Sequence, residues 1–340
     1  MKNWLVAICI VLALFPACNQ TGGGKDYTLS MKVKELPTAA VLFTQGKDSY
    51  FYDLKITDSY FLFADDKSDT VIRIYNKDQF AAPVQYACRK FGEKGLWAPI
   101  LRKEVKAGPD GDMVSAVDND QYERQLQLGS DNIAVQTTVL PKSVIHSMDY
   151  NRIGKELYGS PLIRGKRCPY YYFNPEKEYH WVDAAPDVNA ALSSFAAEVY
   201  ATALCVNEEV GSVVAAYRFT NHLTFYGLDG TLRSTVQVGS KVIKPHTMQV
   251  RNGLDIEKST KCFTYICGTP THVYCVYDGS QDFSNHSKIL VFEWNGKHVA
   301  TWQADHNVRA IAVDPEERYL LAISARDDGG QDILRYPLNP

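Results

Sequence analysis

Residues 288–323 constrain the fold of this chain most, reading KILVFEWNGKHVATW and then VRAIAVDPEERYLLAI. They predict four short strands joined by tight turns. Residues 289–294 are apolar and aromatic, Asn295-Gly296 is a two-residue hairpin signal, and residues 297–302 return. Val308–Val313 is a β-branched run, residues 314–318 make a turn, and residues 319–324 run back. Strand, hairpin, strand, link, strand, turn, strand is how one propeller blade crosses into the next.

The same grammar recurs along the chain. Residues 60–64, 212–217, 272–277 and 319–324 are apolar strands, each followed by a polar loop and a second strand ending in an aromatic residue. Self-similarity at about 40 to 65 residues, with strands throughout, predicts a propeller rather than a helical solenoid. Residues 113–140 supply a second blade and residues 162–182 a third, for a total of six. Residues 186–200 are read as the inner strand of blade 4, a short Ala-rich helix being the alternative. Residues 27–33 and 39–43 predict strands before the first full repeat. The expected architecture is therefore all-β: a six-bladed β-propeller over residues 27–340, its ring closed by an N-terminal strand lent to the last blade.

Ahead of this domain lies a targeting segment. Lys2 and the apolar residues 4–15 read as a signal peptide over residues 1–17, and Phe15-Pro16-Ala17-Cys18 reads as a lipobox with Cys18 as the acylated residue. Ordinary cleavage after Ala17 is the rival, and it wants a small residue where Phe15 sits. Residues 18–26 are a flexible tether. The expected address is the cell envelope, on the outer membrane, held by lipid. A formal charge of −3 gives no pull toward nucleic acid.

The chain resembles the TolB-like six-bladed propeller lipoproteins of Bacteroidetes. The resemblance rests on the Cys18 lipobox, on the closing segment FEWNGKHVATW with VRAIAVDPEERYLLAI, and on CRKFGEKGLWAP at residues 88–99. That last stretch is similar to the family's glycine-rich FGxxGxGPGEF segment, with Leu96 and Trp97 where Gly and Pro stand. The resemblance implies a fold and a compartment and no reaction.

Residues with chemistry are present but no catalytic motif is. Cys88, Cys168, Cys205, Cys262, Cys267 and Cys275 remain outside the leader, without the CxxC spacing of a zinc site. Most lie in apolar strands as small hydrophobes. One pair predicts a disulfide: a hairpin centred on Thr271 would set Cys267 opposite Cys275. His272, His286, His298 and His306 cluster in sequence but not by strand position, so no metal and no cofactor is expected.

Three functions stay open: a non-catalytic binding or scaffolding module for a glycan, peptide or protein; a propeller enzyme of lactonase or lyase type; and a subunit of an envelope assembly. The binding module is preferred. Its ligand is expected on the face carrying the loops between second and third strands, at Arg218, Asn221, His222, Asp278 and Arg326. Acylation of Cys18 predicts that labelled palmitate enters the wild-type chain. Cys18→Ala should abolish the label and move the protein out of the membrane fraction; an unlabelled wild type would refute the anchor.

Overall fold

The computed structural model describes residues 25–338 except 31, 81, 84, 89–95, 109–110, 120, 129–132, 142–145, 162–166, 175, 177–178, 193–196 and 249–252. The leader, Cys18 and the glycine-rich segment at 89–95 lie outside the described residues.

Six four-stranded antiparallel sheets form the blades of a propeller. From axis to rim, blade 1 is Phe51–Ile56, Tyr60–Asp65, Thr70–Asn76 and Gln85–Cys88. Blade 2 is Pro99–Gly108, Gly111–Asp118, Tyr122–Leu128 and Ile133–Val139. Blade 3 is Ser147–Ile153, Glu156–Pro161, Tyr170–Phe173 and Tyr179–Val182. Blade 4 is Thr202–Asn207, Ser212–Tyr217, His222–Gly227 and Leu232–Val238. Blade 5 is Lys261–Gly268, His272–Ser280, Lys288–Glu293 and His298–Gln303. Blade 6 is Val308–Val313, Tyr319–Ala325 and Gln331–Pro337, with Ala40–Gln45 as its rim strand.

The expected closure by an N-terminal strand is present, in antiparallel register from Gln45 opposite Gln331 to Ala40 opposite Arg335. The expected single strand at 27–33 is instead two. Lys25–Leu29 adds in parallel to the rim of blade 4, and Val33–Glu35 adds in parallel to the rim of blade 5. The start of the chain is thus a strap over three blades. It covers two sheet edges and supplies a third, which removes unpaired N–H and C=O rows from the rim.

Each strand is apolar because both faces of a blade are covered by neighbours. Val214, Ala216 and Phe225 of blade 4 pack with Ile266, Cys275, Leu290 and Phe292 of blade 5. Tyr158 and Tyr170 of blade 3 meet Leu204, Val213 and Tyr226 of blade 4. Between blades 2 and 3, Val117, Leu140, Tyr150 and Leu157 pack together. There an ion pair of 2.7 Å, Arg152 to Glu123, crosses between the blades.

The structure corrects further expectations, among them the start of blade 2, which is Pro99 and not 113. Residues 186–200 hold an α-helix, Pro186–Ala191, and a 3-10 turn, Ala197–Tyr200; the inner strand of blade 4 follows them. Pro186 at the helix start and the Ala content favour that outcome. Blade 3 begins at Ser147, not at 162, because charged and glycine residues mask its two inner strands. The Asn295-Gly296 turn is a three-residue loop: Glu293 N–H donates to Lys297 O and Gly296 N–H to Glu293 O. Gly296 has φ +91°, and a Cβ there would collide with Ser234 Oγ, so blade 5 packs on blade 4 through a glycine.

The last correction concerns Cys267 and Cys275. The blade 5 hairpin pairs Cys267 with Tyr274 and Ile266 with Cys275, one residue off the expected register. Cys267 therefore faces blade 6 and Cys275 faces blade 4, and no disulfide joins them.

The strap predicts a graded truncation series. A chain starting at residue 37 keeps the closing strand and should remain monomeric with a lowered urea midpoint. One starting at residue 47 leaves blade 6 three-stranded and should aggregate in size-exclusion chromatography. Equal stability of the two would show that the closing strand is dispensable.

Candidate functional site at the axial channel

The six inner strands surround an axial channel, and a tyrosine divides it. Tyr265 of blade 5 donates its hydroxyl to Asp53 of blade 1, on the far side of blade 6. Asp53 also accepts from Leu54 N–H at 2.9 Å and from Leu101 N–H of blade 2 at 2.9 Å. One carboxylate thus ties together the inner strands of blades 1, 2 and 5. Burial, and then the charge on Asp53, holds the Tyr265 hydroxyl well above its ordinary pKa. Asp149 plays a related part in blade 3, accepting from Leu204 N–H of blade 4 at 3.0 Å.

Two cavities share Tyr265 as a wall. One, of about 470 Å³, opens beside the hairpins between first and second strands. Asp58, Asp112, Glu208 and Glu209 lie on it with Lys55, Arg152 and Trp294. The other, of about 440 Å³, opens on the face of the blade-to-blade links. It takes residues from all six blades: Tyr52 and Asp53, Ile100, Asp149, Arg218, Lys261 with Phe283, and Arg309. Both volumes fall within the range of small-molecule sites.

Of the five residues the sequence nominated on this face, the structure brings only Arg218 into the cavity. Asn221 is fully buried: its Nδ2 donates to Val238 O and to Lys241 O, and its Oδ1 accepts from Ile243 N–H. It fastens the link leaving blade 4. His222 is 2% exposed and meets Thr220 Oγ1 at 3.1 Å, and burial lowers its pKa. Asp278 is buried and accepts from Ser280 N–H at 2.7 Å. Arg326 lies outside both cavities, paired with Asp328 at 2.9 Å.

Two acids in the same loops have the same structural duty. Asp65 accepts from Tyr50 N–H at 3.0 Å and pairs with Arg73; Asp118 accepts from Trp97 N–H and Ala98 N–H and pairs with the buried Arg124. A link crossing from rim to axis leaves backbone donors without a strand partner, and these side chains satisfy them. Polar residues on this face are consequently fasteners more often than ligand contacts.

The sequence reading missed Asp53, Asp149, Lys261 and Arg309. The available signal was a charged residue inside an otherwise apolar inner strand: FYDLKI, SMDYNRI, KCFTYICG, VRAIAV. Among the described residues, no three His, Cys, Asp or Glu side chains are grouped so as to hold a metal ion. His272 is bound instead to Glu317, at 2.8 Å, between blades 5 and 6.

No family model and no curated protein matches the chain. Its own six sheets define its class as a six-bladed propeller, and solved structures share the fold. Among them is a member of the DUF4221 family from Bacteroides vulgatus, 10% identical, with 89% of this chain and 97% of that one aligned at TM-score 0.58. A Bacteroides fragilis protein assigned as exported aligns over 93% of this chain and 99% of its own, at 10% identity and TM-score 0.56. At such identity the likeness is one of fold.

Asp53 should be the most sensitive polar position in the channel. Asp53→Ala leaves Leu101 N–H and the Tyr265 hydroxyl without their acceptor, and is expected to cost about 2–5 kcal/mol in urea unfolding. Tyr265→Phe leaves the two amide bonds intact and should cost less. The opposite ranking would rule out the carboxylate as the common fastener.

Proposed function

We propose that this chain is an exported, Cys18-anchored envelope lipoprotein of the TolB-like kind that binds a small ligand at the link-face mouth of its channel without transforming it. The observation carrying this reading is that mouth: a cavity of about 440 Å³ to which every blade contributes. A site to which all six blades contribute is held by the whole ring, so its geometry is fixed before a ligand arrives. The floor, Tyr265 on Asp53, offers no spare base, because both oxygens of that carboxylate accept hydrogen bonds. The likeness to a Bacteroides protein assigned as exported supports the address.

Ile256 stands at the rim of this cavity and is 58% exposed, so Ile256→Trp narrows the mouth without disturbing the core. A panel of monosaccharides, amino acids and short organic acids should contain members that raise the melting temperature of the wild type. Their effect should fall in Ile256→Trp. Hydrogen-exchange protection by such a ligand around Trp294 and Glu208, with the inner strand starts unprotected, would place the site at the opposite mouth and overturn the reading.

A further inference from the structure

Three cations converge on the link-face mouth, and none has a carboxylate within ion-pair distance among the described residues. We propose that this mouth is an anion site, taking a small organic molecule whose carboxylate or other oxyanion sits between Arg218 and Arg309. The inference rests on the reading of the mouth as the ligand site and names the ligand's chemistry.

Arg218 leaves the end of the second strand of blade 4 and donates one Nη to Thr264 O of blade 5 at 3.3 Å. Its Nε is shielded from solvent and has no hydrogen-bond partner. Arg309, from the inner strand of blade 6, lies over the Phe283 ring with its guanidinium carbon 4.1 Å from the centroid. Lys261 donates to the carbonyl oxygens of Ile256 and Gln281, which leaves its charge uncompensated. The contrast within the molecule is direct. Arg73, Arg124, Arg152, Arg318 and Arg326 each have a carboxylate oxygen between 2.7 and 3.2 Å away.

The two acids that line this mouth, Asp53 and Asp149, are engaged by the scaffold. Asp53 accepts from two amides and Tyr265, and Asp149 accepts from Leu204 N–H. Asp149 acts on Arg218, and Asp278 on Arg309, only through space. Burial lowers the pKa of both arginines, Asp149 with Tyr265 opposing it for Arg218, and Tyr50 with Asp278 for Arg309. A bound anion would relieve that desolvation cost, and the guanidinium fork matches the planar geometry of an oxyanion. Phe219, Phe283 and Tyr52 provide an apolar wall for the body of the molecule. The far cavity, with Asp58, Asp112, Glu208 and Glu209, repels the same ligand.

The test titrates the full-length chain in detergent, by calorimetry, with benzoate, phenyl phosphate, inorganic phosphate and neutral benzamide. Benzoate or phenyl phosphate should bind and benzamide should not. Arg309→Met and Arg218→Met should each weaken binding by about 10- to 100-fold. Tighter binding of benzoate assigns a carboxylate, and tighter binding of phenyl phosphate or inorganic phosphate assigns a phosphate. Should Arg218→Met fail to fold, Arg218→Lys and Arg309→Met carry the test. Failure of every anionic probe, or anion binding unchanged in those variants, overturns the inference. If benzamide or another neutral probe binds and is lost in Ile256→Trp while anions stay silent, the mouth is still the ligand site and only its assigned chemistry falls.

Discussion

The ring depends on its closure between blades 6 and 1, where residues about 280 positions apart in sequence are held together. Gln331, at the start of the third strand of blade 6, grips the backbone of Phe51 in the inner strand of blade 1. Its Oε1 accepts from Phe51 N–H at 2.6 Å, and its Nε2 donates to Phe51 O at 2.8 Å. The same strand of blade 6 pairs with Ala40–Gln45 on its other edge. Blade 6 therefore receives its outermost strand from the start of the chain and hands its inner contacts to blade 1. Closing so long a loop carries a large entropic cost, which is met by the apolar surface that blades 5, 6 and 1 bury in one continuous cluster.

Once the ring is closed, the interior has to deal with strand ends pointing at one axis. Apolar packing alone would leave the inner edges of the sheets with unpaired amides. Asp53 and Asp149 meet that need by accepting from the inner strand of the next blade, at Leu101 and Leu204. Their negative charge draws cations into the same region, and Arg218, Lys261 and Arg309 arrive from blades 4, 5 and 6. Because the carboxylates are held by amides, those cations gain field but, among the described residues, no carboxylate partner. The polarity of the channel follows from this: basic at the link face and acidic at the hairpin face, with the Tyr265–Asp53 contact between them.

Strands of the clearest repeats were legible because both their faces are buried. Residues 213–217 and 319–323 are apolar throughout, and local pattern suffices there. The first two strands of blade 3 were hidden for the complementary reason. SMDYNRI carries Asp149 and Arg152 because its residues face the channel and a neighbouring blade's Glu123, and a strand under those demands has no simple period. Residues 186–200 show a third case, where alanines and valines are compatible with either state and the proline at 186 favours a helix start.

By itself the sequence determined the all-β class, the blade grammar and the need for an N-terminal closing strand, since each is written in apolar runs and turn residues a few positions apart. It also marked which loops share a face, because alternating strand direction fixes that without coordinates. Tertiary structure alone decided which polar residues on that face are fasteners and which meet the channel. Asn221, His222 and Asp278 look as available for a ligand as Arg218 in the linear chain. They differ in where the fold points them: Asn221, His222 and Asp278 are buried outside the cavity, Asn221 on the backbone at Val238, Lys241 and Ile243, while Arg218 lines the channel mouth. The Cys267 register was settled in the same way. A one-residue shift at the turn sends alternate side chains to opposite faces of a sheet, and packing on blades 4 and 6 selects the register.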